Sequence, residues 1–209
     1  HGGEQGIVIG ASRRLRDNAL MTRSTLIVSF ALAALFAAAA PAMPPDADHA
    51  THALVDSPRH GEWVNVPQDD GPDIRAWVVY PERADKAPVV IVIHEIFGLT
   101  DWVRSVADAF AAEGYIAVAP DLLSGRGPNG GGRESFEGDA VRAAIRNISN
   151  EEASKRLDAV RTWAHAQPSA AATTGCVGYC WGGSTTFMYA TMQPELDAAV
   201  VYYGTAPTD

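Results

Sequence analysis

Short runs of apolar residues recur along the chain from residue 73 onwards. The first three are DIRAWVVY (73–80), APVVIVIHE (87–95) and YIAVAP (115–120), and TTGCVGY (173–179) and AAVVYY (198–203) follow later. Runs rich in Val and Ile, without polar alternation, are typical of strands that are buried on both faces of a sheet. The pattern therefore predicts a strand at each of these runs.

Segments with helical periodicity separate the predicted strands. Residues 101–113 repeat apolar side chains three and four positions apart and stop before a glycine. Further helices are predicted to begin near Asp139, to follow a capping box at Ser149 as far as about residue 167, and to cover about residues 182–192. Because strands and helices alternate, the sequence predicts an α/β fold with a mostly parallel sheet flanked by helices.

The first 60 residues are predicted to precede this domain. Residues 1–20 do not begin with Met and show no sustained period, so they are interpreted as upstream sequence. One Arg after Met21, an apolar run at 26–40 and small residues at Ala40 and Ala42 form the pattern of a cleaved secretory signal peptide. The run is shorter than the roughly 20 residues of a membrane span, so an uncleaved anchor is disfavoured. The predicted division is upstream sequence at 1–20, a signal peptide at 21–42, a polar linker at 43–60 and a domain at 61–209, in a periplasmic or secreted protein.

Charge limits the kinds of partner that are expected. The chain carries 25 acidic and 16 basic residues, which gives a net charge of −9. A surface this acidic repels nucleic acid and anionic membranes, so neither is expected as a partner after signal cleavage. A small-molecule partner and a monomeric state are expected instead.

The two cysteines are predicted to be unpaired, although a disulfide is the usual state of cysteines in an exported protein. If Cys176 lies in an extended strand that leads to Cys180, their Cα atoms are about 13 Å apart. A disulfide requires about 7 Å or less. The spacing C-V-G-Y-C also differs from the C-x-x-C of a thiol oxidoreductase, which makes a redox function a weak alternative.

A glycine-rich loop follows the third predicted strand and contains G-x-G-x-x-G at Gly125, Gly127 and Gly130. In a dinucleotide-binding motif such glycines join a strand directly to a helix. Here four residues follow the strand first, and no helix is predicted to begin at Gly130. The loop is therefore interpreted as a flexible connection, and neither a metal nor an organic cofactor is predicted.

The segment VGYCWGG (177–183) joins a predicted strand to a predicted helix. A nucleophile on such a tight turn needs small residues two positions before and after it, and Gly178 and Gly182 flank Cys180 in this way. The helix N-terminus would favour the thiolate form of the cysteine, and the backbone N–H of Trp181 would face an oxyanion. The alternative is a cysteine that merely fills a tight bend.

Three segments, IVIHEIFGL (91–99), VAPDLLSG (118–125) and VGYCWGG, together resemble the dienelactone hydrolase family. This branch of the α/β-hydrolases uses a cysteine nucleophile, and the resemblance covers about residues 61–203. It implies an α/β-hydrolase-type sheet with Cys180 as nucleophile and Glu95 as the carboxylate that contacts the resting thiol and helps to deprotonate it. It also implies that the backbone N–H groups of Ile96 and Trp181 form the oxyanion hole. His94 is interpreted as structural.

The acid and the histidine of such a site are expected after the nucleophile, but no histidine follows Cys180 in the sequence. His165 precedes it, in a helix that is expected to end at the opposite edge of the sheet. We therefore expect a truncated chain, with the sheet incomplete at the C-terminus and the acid and histidine encoded beyond residue 209.

The resemblance implies hydrolysis of small lactones or carboxylic esters through a cysteine acyl-enzyme. If the substrate is carboxylated, Arg126, Arg133 and Arg142 are candidates to bind that carboxylate, and solvated loop arginines are the alternative interpretation. The rival hypothesis is a catalytically inactive α/β-hydrolase fragment that lacks the acid and the histidine.

Overall fold

The strands of the protein form a single sheet in the structure, a computed structural model that describes residues 7–10 and 43–206. In chain order they are β1 (Ile7–Gly10), β2 (Gly61–Val66), β3 (Ile74–Val79), β4 (Ala87–Ile93), β5 (Ile116–Pro120), β6 (Ala170–Tyr179) and β7 (Ala198–Tyr202). Their spatial order is β1-β7-β6-β4-β5-β3-β2. Strands β5, β4, β6 and β7 are parallel, while β3 runs antiparallel to both β2 and β5. The predicted α/β fold is confirmed, and the sheet is mixed, with a parallel centre and antiparallel edges.

Helices cover both faces of this sheet. They are α1 (Ala50–Asp56), α2 (Asp101–Ala112), α3 (Ala140–Arg146), α4 (Asn150–His165) and α5 (Trp181–Met192), with short 3-10 turns at Pro128–Gly130 and Arg133–Ser135. Because successive side chains of a strand point to opposite faces, β4 contributes to two apolar clusters. Val92 packs with Val106 of α2 on one face, and Ile91 packs with Leu157 of α4 and Tyr189 of α5 on the other. The sheet is therefore the middle of three layers.

The helix ends follow the capping residues in the sequence. The side chain of Ser149 accepts a hydrogen bond from the backbone N–H of Glu152 at 3.1 Å, and α4 begins at the next residue. Thr100 accepts one from Val103 at the start of α2. The predicted start of α4 is confirmed, but the capping box is only half formed, because the carboxylate of Glu152 binds Arg126 instead of the backbone N–H of Ser149.

The segment at 43–60, interpreted as a linker, contains a helix that packs on the domain. Helix α1 lies against α2, where the hydroxyl of Thr51 donates to Asp101 at 2.6 Å. Ser57 donates to Asp108 at 2.6 Å, and Arg59 forms an ion pair with the same carboxylate. Strand β2, which follows at Gly61, was also absent from the predicted elements.

The strand β1 belongs to the segment interpreted as upstream sequence. It runs antiparallel along β7, with Ile7 opposite Val201 and Gly10 opposite Ala198. The outer edge of β7 is therefore paired in the structure. The assignment of residues 1–20 to upstream sequence stays a prediction, and so does the signal peptide at 21–42, which lies outside the described residues. No helix in the described part is long and apolar enough to cross a bilayer.

Candidate active site

Cys180 occupies a strained turn between the end of β6 and the start of α5. Its backbone has φ 56° and ψ −118°, a region that costs a residue other than glycine about 1–3 kcal/mol. Its N–H donates to the carbonyl of Tyr202 and its carbonyl accepts from the N–H of Ser184, both at 3.1 Å. The turn is thus fastened to β7 and to α5, and the strand–turn–helix predicted around Cys180 is present.

The glycines around Cys180 are required by close backbone contacts. A Cβ atom on Gly178 would lie 2.1 Å from the carbonyl oxygen of Gly182. A Cβ atom on Gly182 would lie 2.4 Å from the carbonyl oxygens of both Ile93 and His94. The end of β4 can therefore approach the first turn of α5 only because residue 182 has no side chain.

The two cysteines lie in very different surroundings, and both are free, as predicted. Cys176 is 2% exposed, and burial raises the pKa of its thiol to about 12. Cys180 is half-buried and lies at the N-terminus of α5, where the helix dipole favours a negative charge. Of the two thiols, only that of Cys180 is placed for chemistry.

Glu95 follows the end of β4 and is held by Tyr203. The phenol of Tyr203 donates a hydrogen bond to Oε1 of Glu95 at 3.0 Å. Burial, and then this hydrogen bond, raise the pKa of Tyr203, so the phenol keeps its proton. The charge of Glu95 and, to a smaller extent, a charge on Cys180 raise the pKa of Tyr203 further. No hydrogen bond joins Glu95 to Cys180 in the described part of the chain.

Tyr203 was missed by the sequence analysis. It directly follows β7, the strand beside the elbow strand β6, and its φ of 40° is also in the left-handed region. The sequence signal was the pair of tyrosines that ends AAVVYY, which was interpreted only as strand. Strain at both Cys180 and Tyr203 marks the carboxyl ends of neighbouring parallel strands as the functional edge.

A cleft of about 690 Å³ adjoins these residues. Glu95 and Tyr203 line it together with aromatic side chains, and Cys180 itself does not. The aromatic side chains include Trp63 and Phe97, which are both partly exposed. The guanidinium of Arg75 lies 4.0 Å from the ring centroid of Trp63. The cleft therefore offers both apolar and charged surface to a small molecule.

The structure separates the three candidate arginines. Arg133 lines the cleft, its Nε donates to the carbonyl of Phe97 at 3.3 Å, and its stem lies where a Cβ atom on Gly98 would be. Arg126 and Arg142 do not line the cleft. Arg126 binds Glu152 at 2.6 Å, and Arg142 pairs with Asp139.

No histidine of the described residues forms a hydrogen bond with Cys180. His165 bonds to Thr174, away from the elbow end of β6, as predicted. His94 is fully buried and bonded through both ring nitrogens. The same part of the chain holds no group of three or more His, Cys, Asp and Glu residues that could bind a metal ion.

A mixed sheet flanked by helices, with a strained residue on a glycine-flanked turn between a central strand and a helix, defines an α/β-hydrolase. The sequence profile of the dienelactone hydrolase family matches residues 74–209, and the chain belongs to that family. The resemblance seen in the sequence is thereby confirmed.

Individual relatives agree with this assignment. A Salmonella typhi protein named "Putative carboxymethylenebutenolidase" is 36% identical over 138 residues, 64% of this chain and 49% of that protein. The carboxymethylenebutenolidase of Pseudomonas putida is 30% identical over 145 residues, 68% of this chain and 61% of that protein. The crystal structure of a "Putative Dienelactone Hydrolase" from Klebsiella pneumoniae has a TM-score of 0.60 at 27% identity and covers 72% of this chain and 62% of that one. This chain thus spans about half the length of the first of these relatives.

Proposed function

We propose that this protein hydrolyses small lactones or carboxylic esters through an acyl-enzyme on Cys180. The observation that carries the proposal is the position of Cys180 at φ 56°, immediately before the first residue of α5. This turn exposes a side chain at the carboxyl edge of the sheet and at the N-terminus of a helix, where the helix dipole favours negative charge. Membership of the dienelactone hydrolase family supports a hydrolase that acts on a small molecule.

The proposed reaction has two stages. Glu95 removes the thiol proton, and the sulfur attacks the substrate carbonyl carbon, whose oxygen becomes an oxyanion. The backbone N–H groups of Ile96 and Trp181 stabilise this charge; neither donates a hydrogen bond within the described residues. The bond to the alkoxide then breaks, the alkoxide takes up the proton that Glu95 removed from the thiol, and a thioester remains. Water attacks the thioester, which releases the acid and restores the thiol.

The cleft suggests the substrate class. Its volume of about 690 Å³ suits a small molecule rather than a polymer, and Arg133 is the candidate arginine that lines it with Glu95. We therefore propose a small ester or lactone, with Arg133 contacting a carboxylate where the substrate carries one.

Selective modification of the two cysteines tests the proposal. Iodoacetamide at neutral pH is expected to alkylate Cys180 well before Cys176, because Cys176 is 2% exposed and its pKa is raised to about 12 by burial. 4-Nitrophenyl acetate is expected to leave an acetyl thioester on Cys180, located by peptide mass mapping. Equal alkylation of both cysteines, or no acetyl group on Cys180, would contradict the proposed nucleophile and favour an inactive protein.

We further propose that the protein is exported and cleaved after Ala42, which would remove β1 and leave the outer edge of β7 without this partner. The support is the pattern of residues 21–42, an apolar run between an arginine and small residues. Mass spectrometry of the protein from the periplasm or medium of an expressing bacterium is expected to find a new N-terminus near Met43. Recovery of residues 21–42 on the membrane-bound protein would indicate an anchor instead.

A further inference from the structure

His94 was interpreted as structural, and its surroundings point to a more specific role. The ring is fully buried at the end of β4. Its Nε2 lies 3.3 Å from the backbone N–H of Leu122, which can only donate, so Nε2 must be the unprotonated nitrogen. Its Nδ1 lies 2.8 Å from the carbonyl oxygen of Glu95, which can only accept, so Nδ1 carries the proton. Burial lowers the pKa of His94, in keeping with this neutral form.

The bond from Nδ1 fixes the peptide unit between Glu95 and Ile96. Every described peptide bond is trans, so the carbonyl of Glu95 and the N–H of Ile96 lie in one plane and point in opposite directions. A second donor, the N–H of Gly98, holds the same carbonyl at 3.1 Å. Fixing that oxygen therefore fixes the direction of the Ile96 N–H, which donates to no group in the described part of the chain.

The same imidazole also contacts the residue after the nucleophile. Its ring stacks on the indole of Trp181, with centroids 5.5 Å apart and an interplanar angle of 17°. The backbone N–H of Trp181 likewise donates to no group among the described residues. One buried side chain thus supports both residues whose N–H groups would receive a developing oxyanion.

We propose that His94 is a positioning residue of the oxyanion hole, which aligns the Ile96 N–H through the carbonyl of Glu95 and buttresses Trp181 by stacking. It takes no proton from Cys180 or from the substrate, because both ring nitrogens are engaged by the backbone. This inference rests on the proposed function, since it assigns a role in stabilising the oxyanion formed when Cys180 attacks an ester.

Two reactions of the same thiol separate this role from a merely structural one. In acylation by 4-nitrophenyl acetate, the sulfur–carbon bond forms through an oxyanion, and 4-nitrophenolate leaves with its electron pair. In alkylation by iodoacetamide, the sulfur displaces iodide from a saturated carbon, and no oxyanion develops. Both rates depend on the thiol and its access, but only acylation depends on the oxyanion hole.

The variants are His94→Phe, which keeps a ring to stack on Trp181 but has no donor, and His94→Asn, whose amide can donate near the position of Nδ1. Removing an oxyanion-hole donor costs about 10²–10³-fold in rate, and displacing one costs somewhat less. His94→Phe is expected to lower acylation about tenfold or more and to change alkylation less than about twofold. In His94→Asn, the acylation rate divided by the alkylation rate is expected to return most of the way to its value in the unmodified protein.

Each other outcome is decisive. If both rates fall together in a folded His94→Phe protein, or if His94→Asn has the same low ratio, the positioning role is overturned. If His94→Phe does not fold, the ¹⁵N NMR spectrum of the unmodified protein decides, because a proton on Nε2 instead of Nδ1 would leave no donor for Glu95 and would overturn the proposal. If the unmodified protein is alkylated at Cys180 but never acylated, the proposed function itself fails.

Discussion

Replacement of Cys180 by Ala is expected to abolish acyl transfer, with a fall of at least about 10³-fold in the rate of 4-nitrophenolate release from 4-nitrophenyl acetate. The loss is large because no other described thiol is accessible, since Cys176 is 2% exposed. Cys180→Ser is expected to lose most of the activity as well, since a hydroxyl is far harder to ionise than a thiol. The measurement is the burst of 4-nitrophenolate absorbance, compared with the spontaneous rate in buffer.

Cys176→Ala is the matched control for this experiment. Cys176 lies four residues before Cys180, within β6, with its side chain in the core, so its loss is expected to reduce stability without removing the burst. A Cys180→Ala protein that kept the burst of the unmodified protein would show that the elbow cysteine is not the nucleophile.

Gly178→Ala is expected to lower the free energy of unfolding by about 3 kcal/mol. The added methyl group would lie 2.1 Å from the carbonyl oxygen of Gly182 and 2.4 Å from Oγ1 of Thr186. The nearest of these atoms belongs to the backbone of α5, which cannot move aside without shifting the helix away from β6. Urea unfolding followed by circular dichroism measures the change.

Gly175→Ala provides the comparison in the same strand. There the nearest atom to the new methyl group would be the carbonyl oxygen of Ala198 at 3.4 Å, an ordinary van der Waals distance. This variant is expected to unfold within about 1 kcal/mol of the unmodified protein. If Gly178→Ala and Gly175→Ala were equally stable, the close contact between β6 and α5 could not be the reason for a glycine at position 178.

The elements around the elbow could be predicted because their sequence constraints are local. A fully buried strand such as β4 must be apolar throughout, and a helix such as α4 shows its start through the side chain of Ser149. Likewise, a strained turn at Cys180 leaves a signature in its flanking glycines. Each of these patterns is complete within a dozen residues.

Features that depend on distant contacts could not be predicted. Helix α1 is short, and its place is decided by contacts such as Thr51 with Asp101, 50 positions away. Which candidate arginine lies at the cleft depends largely on distant partners, since Arg126 binds Glu152, 26 positions away, and Arg133 donates to Phe97, 36 positions away. The role of Tyr203 depends on a partner across the sheet. In each case the deciding residue is far along the chain and carries no motif of its own.

The hydrogen bond between Glu95 and Tyr203 can form only late in the synthesis of the chain. The two residues are 108 positions apart, and a ribosome adds roughly 5–20 residues per second. The carboxylate therefore leaves the ribosome roughly 5 to 20 s before the phenol that holds it. Strand β4 precedes Glu95 and is already complete when the interval begins, so it can pack against earlier strands, but β7 is completed only as the interval ends and cannot pair with β6 before then. The candidate active-site edge of the sheet is consequently a late product of synthesis, because Glu95 has no Tyr203 to hold it until residue 203 has emerged.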